Sequence, residues 1–298
     1  MASASPYASV AATRDVLERH GFSLKKSLGQ NFLVNDAVVG KILRLAQVGL
    51  RDVVLEVGPG IGTLTHALLA NAAAVVAIER DPSLPAVLAD TLAGFWDRFA
   101  LVEKDALAVG PDDVRQAAGA IGAGMPDKLV ANLPYAVAAT VVLDYFQAFP
   151  GLSGMTVMVQ REVAERMTAL PGGKNYGAYT VKLAMHAAPA GSFSVGPGNF
   201  MPPPHVESTV LRLDRRDAGA PPEVVRGACV MAEAAFFARR KTLANSCKQY
   251  FASRGLDAGA LPAIFEAAGA DPRARGEVYA PEAYLALGRA YVERIPGT

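Results

Sequence analysis

The residues most able to do chemistry fall in three clusters. The first is Glu56-Val57-Gly58-Pro59-Gly60-Ile61-Gly62-Thr63. Its alternating glycines let the backbone turn tightly and come close to a ligand without interference from a Cβ. A dinucleotide fingerprint needs a glycine at the sixth position, but Thr63 stands there counting from Gly58, and Thr65 counting from Gly60. Pyrophosphate binding is therefore disfavoured. The second cluster is a pair of acids. Glu79 lies 21 positions beyond Gly58, a spacing that suits a carboxylate accepting both hydroxyls of a ribose. Asp105 lies beyond the next apolar run and can accept from an adenine amino group. An adenosine-containing ligand without a bridging pyrophosphate fits this pattern, and S-adenosylmethionine is one.

The third cluster is Asn132-Leu133-Pro134-Tyr135. An exocyclic adenine amine is a poor nucleophile because its lone pair is delocalised into the ring. Two acceptors on its N–H groups would draw the nitrogen toward a tetrahedral shape and aim the lone pair at a methyl donor. The Asn132 side-chain oxygen and the Leu133 carbonyl can serve, since Pro134 holds the residue before it extended. Tyr135 offers a ring on which an unstacked base can lie. No strong base is required, because the methylated ammonium loses its proton readily. Positioning and electrostatics carry the rate.

These clusters need a frame that presents them together. Residues 52–57, 74–79, 99–103, 128–131 and 155–159 are nearly continuous apolar, β-branched runs, and helical stretches such as 63–71 and 139–149 lie between them. That alternation predicts a doubly wound, mostly parallel sheet covered on both faces. Each chemical cluster follows a strand, at the end where such sheets bind ligands. A helix over 8–20 and a basic loop precede the sheet. Helices over 163–169 and 179–187 follow it, then a closing antiparallel strand pair, 193–195 and 206–213, around Met201-Pro202-Pro203-Pro204. Residues 215–222 read as a linker. The expected organisation is a catalytic domain over 1–214 (1–35 being the N-terminal helix and basic loop) and a small all-α domain over 223–298.

The 298 residues are 51% hydrophobic and 19% charged, enough for a sizeable core and opposite to the balance of a disordered chain. No secretory signal and no apolar run of spanning length is visible, and two cysteines are too few for a disulfide framework or a zinc site. His20, His66, His186 and His205 show no metal-ligand spacing, so no metal is assigned. A cytoplasmic protein is expected. The net charge of +1 excludes a globally basic nucleic-acid binder, yet two segments concentrate cations without acids. Residues 19–35 hold Arg19, Lys25 and Lys26, while residues 234–256 hold Arg239, Arg240, Lys241, Lys248 and Arg254.

Over nearly its whole length the chain resembles the ribosomal RNA adenine N6,N6-dimethyltransferases, and within them the bacterial small-subunit enzymes. The resemblance rests on six stretches in order: 25–33 (KKSLGQNFL), 56–65, 132–135, 159–166 (VQREVAER), 199–208 (NFMPPPHVES) and 237–246 (FARRKTLANS). It implies a Rossmann-like class I fold that uses S-adenosylmethionine. Asn31, Leu33, Gly58, Gly60, Glu79, Asp105 and Asn132 would contact the donor. Asn132, Leu133, Pro134 and Tyr135 would shape the acceptor site, with Phe200 as the second aromatic wall. The implied substrate is a pair of adjacent adenosines in a hairpin loop near the end of 16S rRNA in the small subunit, each methylated twice, with a role in ribosome biogenesis. On this reading Lys25 and Lys26 line the entrance, Arg239, Arg240, Lys241 and Lys248 hold rRNA phosphates, and the protein acts as a monomer. One departure stands out: Ala136 and Ala139 occupy positions where the family often has polar residues. Two alternatives remain at this stage, a resistance-type methyltransferase of large-subunit rRNA and a noncatalytic RNA-binding assembly factor. The C-terminal helix expected to carry Arg239-Arg240-Lys241 favours the small-subunit enzymes over the first, and the intact tetrapeptide and acids disfavour the second. An oxidoreductase lacks its glycine spacing, and a DNA adenine methylase lacks a sequence-reading domain here.

Overall fold

In the computed structural model, which describes residues 4–22 and 30–295, the chain runs α1 (Val10–Arg19), β1 (Phe32–Leu33), α2 (Asp36–Ala46), β2 (Val53–Val57), α3 (Thr63–Leu69), β3 (Ala74–Ile78), α4 (Pro85–Thr91), β4 (Phe99–Val102), α5 (Pro111–Ala120), β5 (Lys128–Asn132), α6 (Ala138–Ala148) and β6 (Gly154–Gln160). It continues through α7 (Arg161–Met167), α8 (Ala178–Ala184), β7 (Ala187–Val195), β8 (Phe200–Met201), β9 (Ser208–Arg215), α9 (Pro222–Phe236), α10 (Leu243–Arg254), α11 (Leu261–Ala267) and α12 (Pro281–Arg294). Among the described residues a seven-stranded sheet has the order β4-β3-β2-β5-β6-β9-β7. The first five strands are parallel, and β9 runs antiparallel to β6 from Gly154↔Asp214 to Gln160↔Ser208. This is the doubly wound, mostly parallel sheet expected from sequence, closed by antiparallel β9. The five central strands expected from sequence form within a residue or two of their expected ends.

Two features were not legible. Strand β7 starts at Ala187, not 193, and takes over the end of the expected helix. Its first six residues, Ala-Ala-Pro-Ala-Gly-Ser, carry no β-branched signal, and as a sheet edge the strand tolerates Pro189 and alternating exposure. The ladder β1–β8, Phe32↔Met201 and Leu33↔Phe200, joins segments nearly 170 residues apart in the chain. Two-residue strands carry no periodicity to detect. The pairing is buttressed where Val34 N donates to the Asn199 carbonyl at 2.8 Å and Asn35 Nδ2 to Asn199 Oδ1 at 2.8 Å. Asn35 also caps α2 through its side-chain oxygen.

The chain divides into two compact units, Met1–Ala164 with Pro189–Arg215, and Glu165–Ala188 with Arg216–Thr298. The sequence pattern alone groups residues 1–214 in one domain, followed by a linker over 215–222. The difference is one of packing: Tyr176, Val181 and Met185 join the core of the helical unit with Met231, Leu243 and Tyr284, and the Tyr176 hydroxyl donates to the Tyr279 carbonyl at 2.8 Å. Arg216 belongs there too, pairing with Glu282 at 2.9 Å. Helices α9 and α12 cross so closely that a Cβ on Gly288 would strike the backbone of Ala228. Among the described residues no helix is long and apolar enough to cross a membrane.

Candidate active site

Strand β2 is flanked by β3 on one side and β5 on the other, so the chain reverses direction of travel across the sheet between β2 and β5. Ligands of open α/β sheets bind at such a switch point, beyond the carboxyl ends of the strands. A cavity of about 400 Å³ lies there. Gly58 and Gly60 line it from the loop after β2, Glu79 from the end of β3, and Asp105 from beyond β4. Asn132, Leu133, Pro134 and Tyr135 line it from β5, and Asn31 and Leu33 from around β1. Ten residues singled out from sequence thus meet in one space.

Local geometry explains how each is held. Gly58 and Gly60 have φ of +72° and +59°, and a Cβ on Gly60 would press on the Phe32 ring at 3.0 Å. Only glycine lets the loop turn under β1. Glu79 is 9% exposed, and its Oε1 accepts from Arg80 N at 2.9 Å and Asp81 N at 2.8 Å. Burial raises its carboxyl above the usual range, and these backbone donors together with Gly60 oppose that rise. Asp105 is held low, first by the Leu107 N–H and then by Arg80, whose Nη1 lies 3.0 Å from Oδ2. Residue 30 is tied down as well, Gln30 Nε2 donating to buried Asp81 at 2.8 Å.

Asn132 Nδ2 donates to the Asn31 carbonyl at 3.1 Å. A carbonyl can only accept, so the amide nitrogen must face it, and Oδ1 is turned the other way. Leu133 N donates to the Met158 carbonyl at 3.2 Å, fixing the turn to β6. The Tyr135 and Ser208 hydroxyls lie 2.7 Å apart, and Ser208 is fully buried at the start of β9. Burial raises the Tyr135 hydroxyl's pKa, with Ser208 opposing the shift, so the phenol stays neutral at physiological pH. Ala136 also lines the cavity and offers no side-chain hydrogen bond.

Phe200 departs from expectation. It is 3% exposed, packs with Leu33, Val39 and Val210 in the sheet core, and is not part of the cavity wall. It pairs opposite Leu33 in the β1–β8 ladder and shares a buried cluster with it, and of the two it is Leu33 that lines the cavity. Lys25 and Lys26 lie outside the described residues. In the helical unit, Arg239, Arg240 and Lys241 occupy the turn between α9 and α10, not a helix, and Lys248 lies on α10; all four are exposed. Arg239 is engaged structurally: it pairs with Glu277 at 3.3 Å and donates to the Gly173 carbonyl at 3.2 Å.

Two cavity residues escaped sequence reading as polar groups. Glu56, 1% exposed on β2, leaves Oε2 without a hydrogen-bond partner, and Thr63 leaves its hydroxyl likewise. Burial pushes the Glu56 carboxyl up to about 8; Thr65 lies close enough to soften this without reaching hydrogen-bond geometry, and Glu79 adds repulsion. In sequence Glu56 sat inside an apolar strand, and nothing there distinguished it from a register-filling residue. Orphaned buried polar atoms are rare in folded proteins and mark places that a ligand or water completes. Glycine backbone open to approach, a ribose-spaced carboxylate, a second acid for an adenine amine and a floor with unmet polar atoms together fit S-adenosylmethionine, an adenosine derivative.

This sheet and this cavity, with an Asn-Leu-Pro-Tyr turn at its mouth, define a Rossmann-like methyltransferase that uses S-adenosylmethionine. The family model described as ribosomal RNA adenine dimethylase matches residues 21–268, and the chain belongs to that family. Among its relatives is the ribosomal RNA small subunit methyltransferase A of Streptococcus sanguinis, 37% identical over 95% of this chain and 97% of that one. The protein of the same name from Thermobifida fusca is 40% identical over 90% of each. Solved structures with the same fold include a dimethyladenosine transferase from Plasmodium falciparum (TM-score 0.69, 22% identity, covering 86% of this chain and 95% of that one). The 23S rRNA methyltransferase ErmE is also similar (TM-score 0.63, 25% identity, covering 88% and 99%).

Proposed function

We propose that the enzyme dimethylates N6 of two adjacent adenosines in a hairpin loop near the 3′ end of 16S rRNA, acting as a cytoplasmic monomer on the small subunit or its precursor and so contributing to ribosome biogenesis. The observation that carries the chemistry is the amide of Asn132, whose nitrogen is committed to Asn31 and whose oxygen is left for the incoming amine. The choice of subunit is supported by relatives named ribosomal RNA small subunit methyltransferase A, 37% and 40% identical over 95% and 90% of this chain.

On this reading Gly58, Gly60, Glu79 and Asp105 hold the adenosine part of the donor, Asn31 and Leu33 close over it, and Glu56 lies at the floor. The donor, when bound, supplies an electrophilic sulfonium methyl. Asn132 Oδ1 and the Leu133 carbonyl accept the two N–H groups of the target amine and orient its lone pair. Tyr135, pinned by Ser208, gives the flipped base a fixed face. After transfer the ammonium proton passes to water, so the neutral Tyr135 hydroxyl need not act as a base. Ala136 lets the base approach without a side-chain hydrogen bond there. Arg240, Lys241 and Lys248 take rRNA phosphates, which position the substrate without reading sequence.

The test uses radiolabelled S-adenosylmethionine with small subunits and, separately, large-subunit RNA, both lacking the relevant methylations, followed by digestion to nucleosides. Label in dimethyladenosine from small subunits is expected. Label confined to large-subunit RNA would assign the chain to the resistance-type enzymes, and donor binding without label in either would leave an RNA-binding assembly role.

A further inference from the structure

Phe237 is an aromatic ring where burial does not account for one. It follows α9 directly, in the turn that holds Arg239, Arg240 and Lys241, and is 54% exposed. A phenylalanine left in water forfeits the burial that ordinarily favours it. The ring is nevertheless held. Its centroid lies 5.7 Å from that of Tyr250 at 75°, an edge-to-face contact. Tyr250 is anchored in turn, its hydroxyl donating to Glu233 at 3.0 Å while the Arg254 guanidinium lies 5.4 Å from the ring centroid. One side of Phe237 is braced, and more than half of the residue is open.

The surroundings are cationic. Arg240, Lys241 and Lys248 are exposed and form no ion pair among the described residues. Arg239 serves instead as a clasp, gathering the 170–173 turn through the Gly173 carbonyl and the 276–278 turn through Glu277. Gly172 N closes the same junction on the Glu277 carbonyl at 2.7 Å. The two gathered turns expose Leu170 (77%) and Val278 (56%). The helical unit thus exposes an aromatic ring in the same turn as two cations that form no ion pair among the described residues, Arg240 and Lys241.

We propose that Phe237 is a stacking platform for an unpaired rRNA nucleotide, with Arg240, Lys241 and Lys248 taking the phosphates on either side. The proposal rests on the RNA-substrate reading above and extends it from backbone to base. Single-stranded nucleic acid needs this pairing of groups: cations for the phosphates and a π-face that accepts any base. An acidic peptide would use the cations and leave the ring idle. An apolar protein face would bury three charges without partners, at a cost.

The test uses the full-length protein, a single-stranded oligoribonucleotide, and an abasic oligomer of the same length and charge. Wild type is expected to bind the base-bearing strand more tightly, and Phe237→Ala to lose about tenfold of that preference. Abasic binding, its salt dependence, donor binding and the thermal midpoint are expected to stay unchanged. Because Trp96 is the single tryptophan, a Trp96→Phe/Phe237→Trp protein reports directly; its emission is expected to be quenched by the base-bearing strand and not by the abasic one. An unchanged preference in Phe237→Ala, or no base-dependent quenching, would overturn the proposal. Weaker binding to whole small subunits with oligonucleotide preference intact would also overturn it, pointing to a protein partner for this face. The labelling experiment reports separately on the catalytic reading, so either idea can fail alone.

Discussion

The hydroxyls of Tyr135 and Ser208 lie 2.7 Å apart, which ties the turn after β5 to the first residue of the antiparallel strand β9. The tether fixes the ring on which the target base would lie. Ser208→Ala and Tyr135→Phe are each expected to lower kcat by about 3- to 10-fold, in line with the roughly 1 kcal/mol net worth of a partly buried hydrogen bond. The double variant is expected to be no slower than the worse single one, since both remove the same bond. Steady-state methylation of under-methylated small subunits gives the numbers, and effects that multiply would dismiss the tether.

Asn132 offers the sharpest separation of chemistry from binding. Asn132→Ala is expected to lower kcat by about 100-fold or more, the scale seen when one transition-state hydrogen-bonding group is removed, with donor affinity by calorimetry changing less than about tenfold. Asn132→Asp keeps an acceptor but loses the N–H that the Asn31 carbonyl accepts, and two oxygens would face each other. It is expected not to rescue.

Glu56 makes the stability of the donor-free protein fall with rising pH. Its carboxyl titrates at about 8 in the folded protein against an ordinary 4.5. Below that ordinary value both folded and unfolded chains hold the proton. Between about 5 and 8 the unfolded chain releases it while the folded one keeps it, so stability declines across that window, by an amount on the order of a few kcal/mol. Above about 8 the decline levels off. Glu56→Gln, neutral throughout, is expected to flatten this component and to raise the thermal midpoint at pH 8 relative to wild type. Parallel melting curves of the two proteins from pH 5 to 9 check it; identical slopes would mean that Glu56 is not the titrating group.

Arg239, Arg240, Lys241 and Lys248 are expected to separate into two kinds. Replacing Arg240, Lys241 and Lys248 together by Ala should weaken rRNA binding and reduce its slope against log salt by about 2, with stability and donor binding unaffected. Arg239→Ala removes the pair with Glu277 and the bond to Gly173. It should lower the thermal midpoint by a few degrees, on the scale of about 1 kcal/mol for a small loss of this kind, and change the salt slope less per residue. Filter binding across a salt series, with melting curves, distinguishes the two.

Much of the site was legible because it is written locally. Gly58, Gly60, Glu79, Asp105 and Asn132 each follow a strand whose apolar, β-branched run announces itself, and a parallel sheet brings the carboxyl ends of its strands to one side. Phe200 was not legible in the same way. Its motif was clear, but whether its ring lined the cavity or lay in the core depended on packing with Leu33, Val39 and Val210, which come from segments far apart in the chain. Arg239 likewise showed its charge in the sequence and concealed Glu277, a partner 38 positions away.

The sheet, the family and the residues that line the cavity could be read from the amino-acid order alone, since these depend on short-range periodicity and on residue types at fixed spacing. Packing settled the rest: Asn31 orients Asn132, Ser208 pins Tyr135, Glu56 is buried with an unmet oxygen, and residues 165–188 belong to the helical unit. Each is a contact between segments far apart in the chain, where packing chooses the partner. No local pattern records that choice.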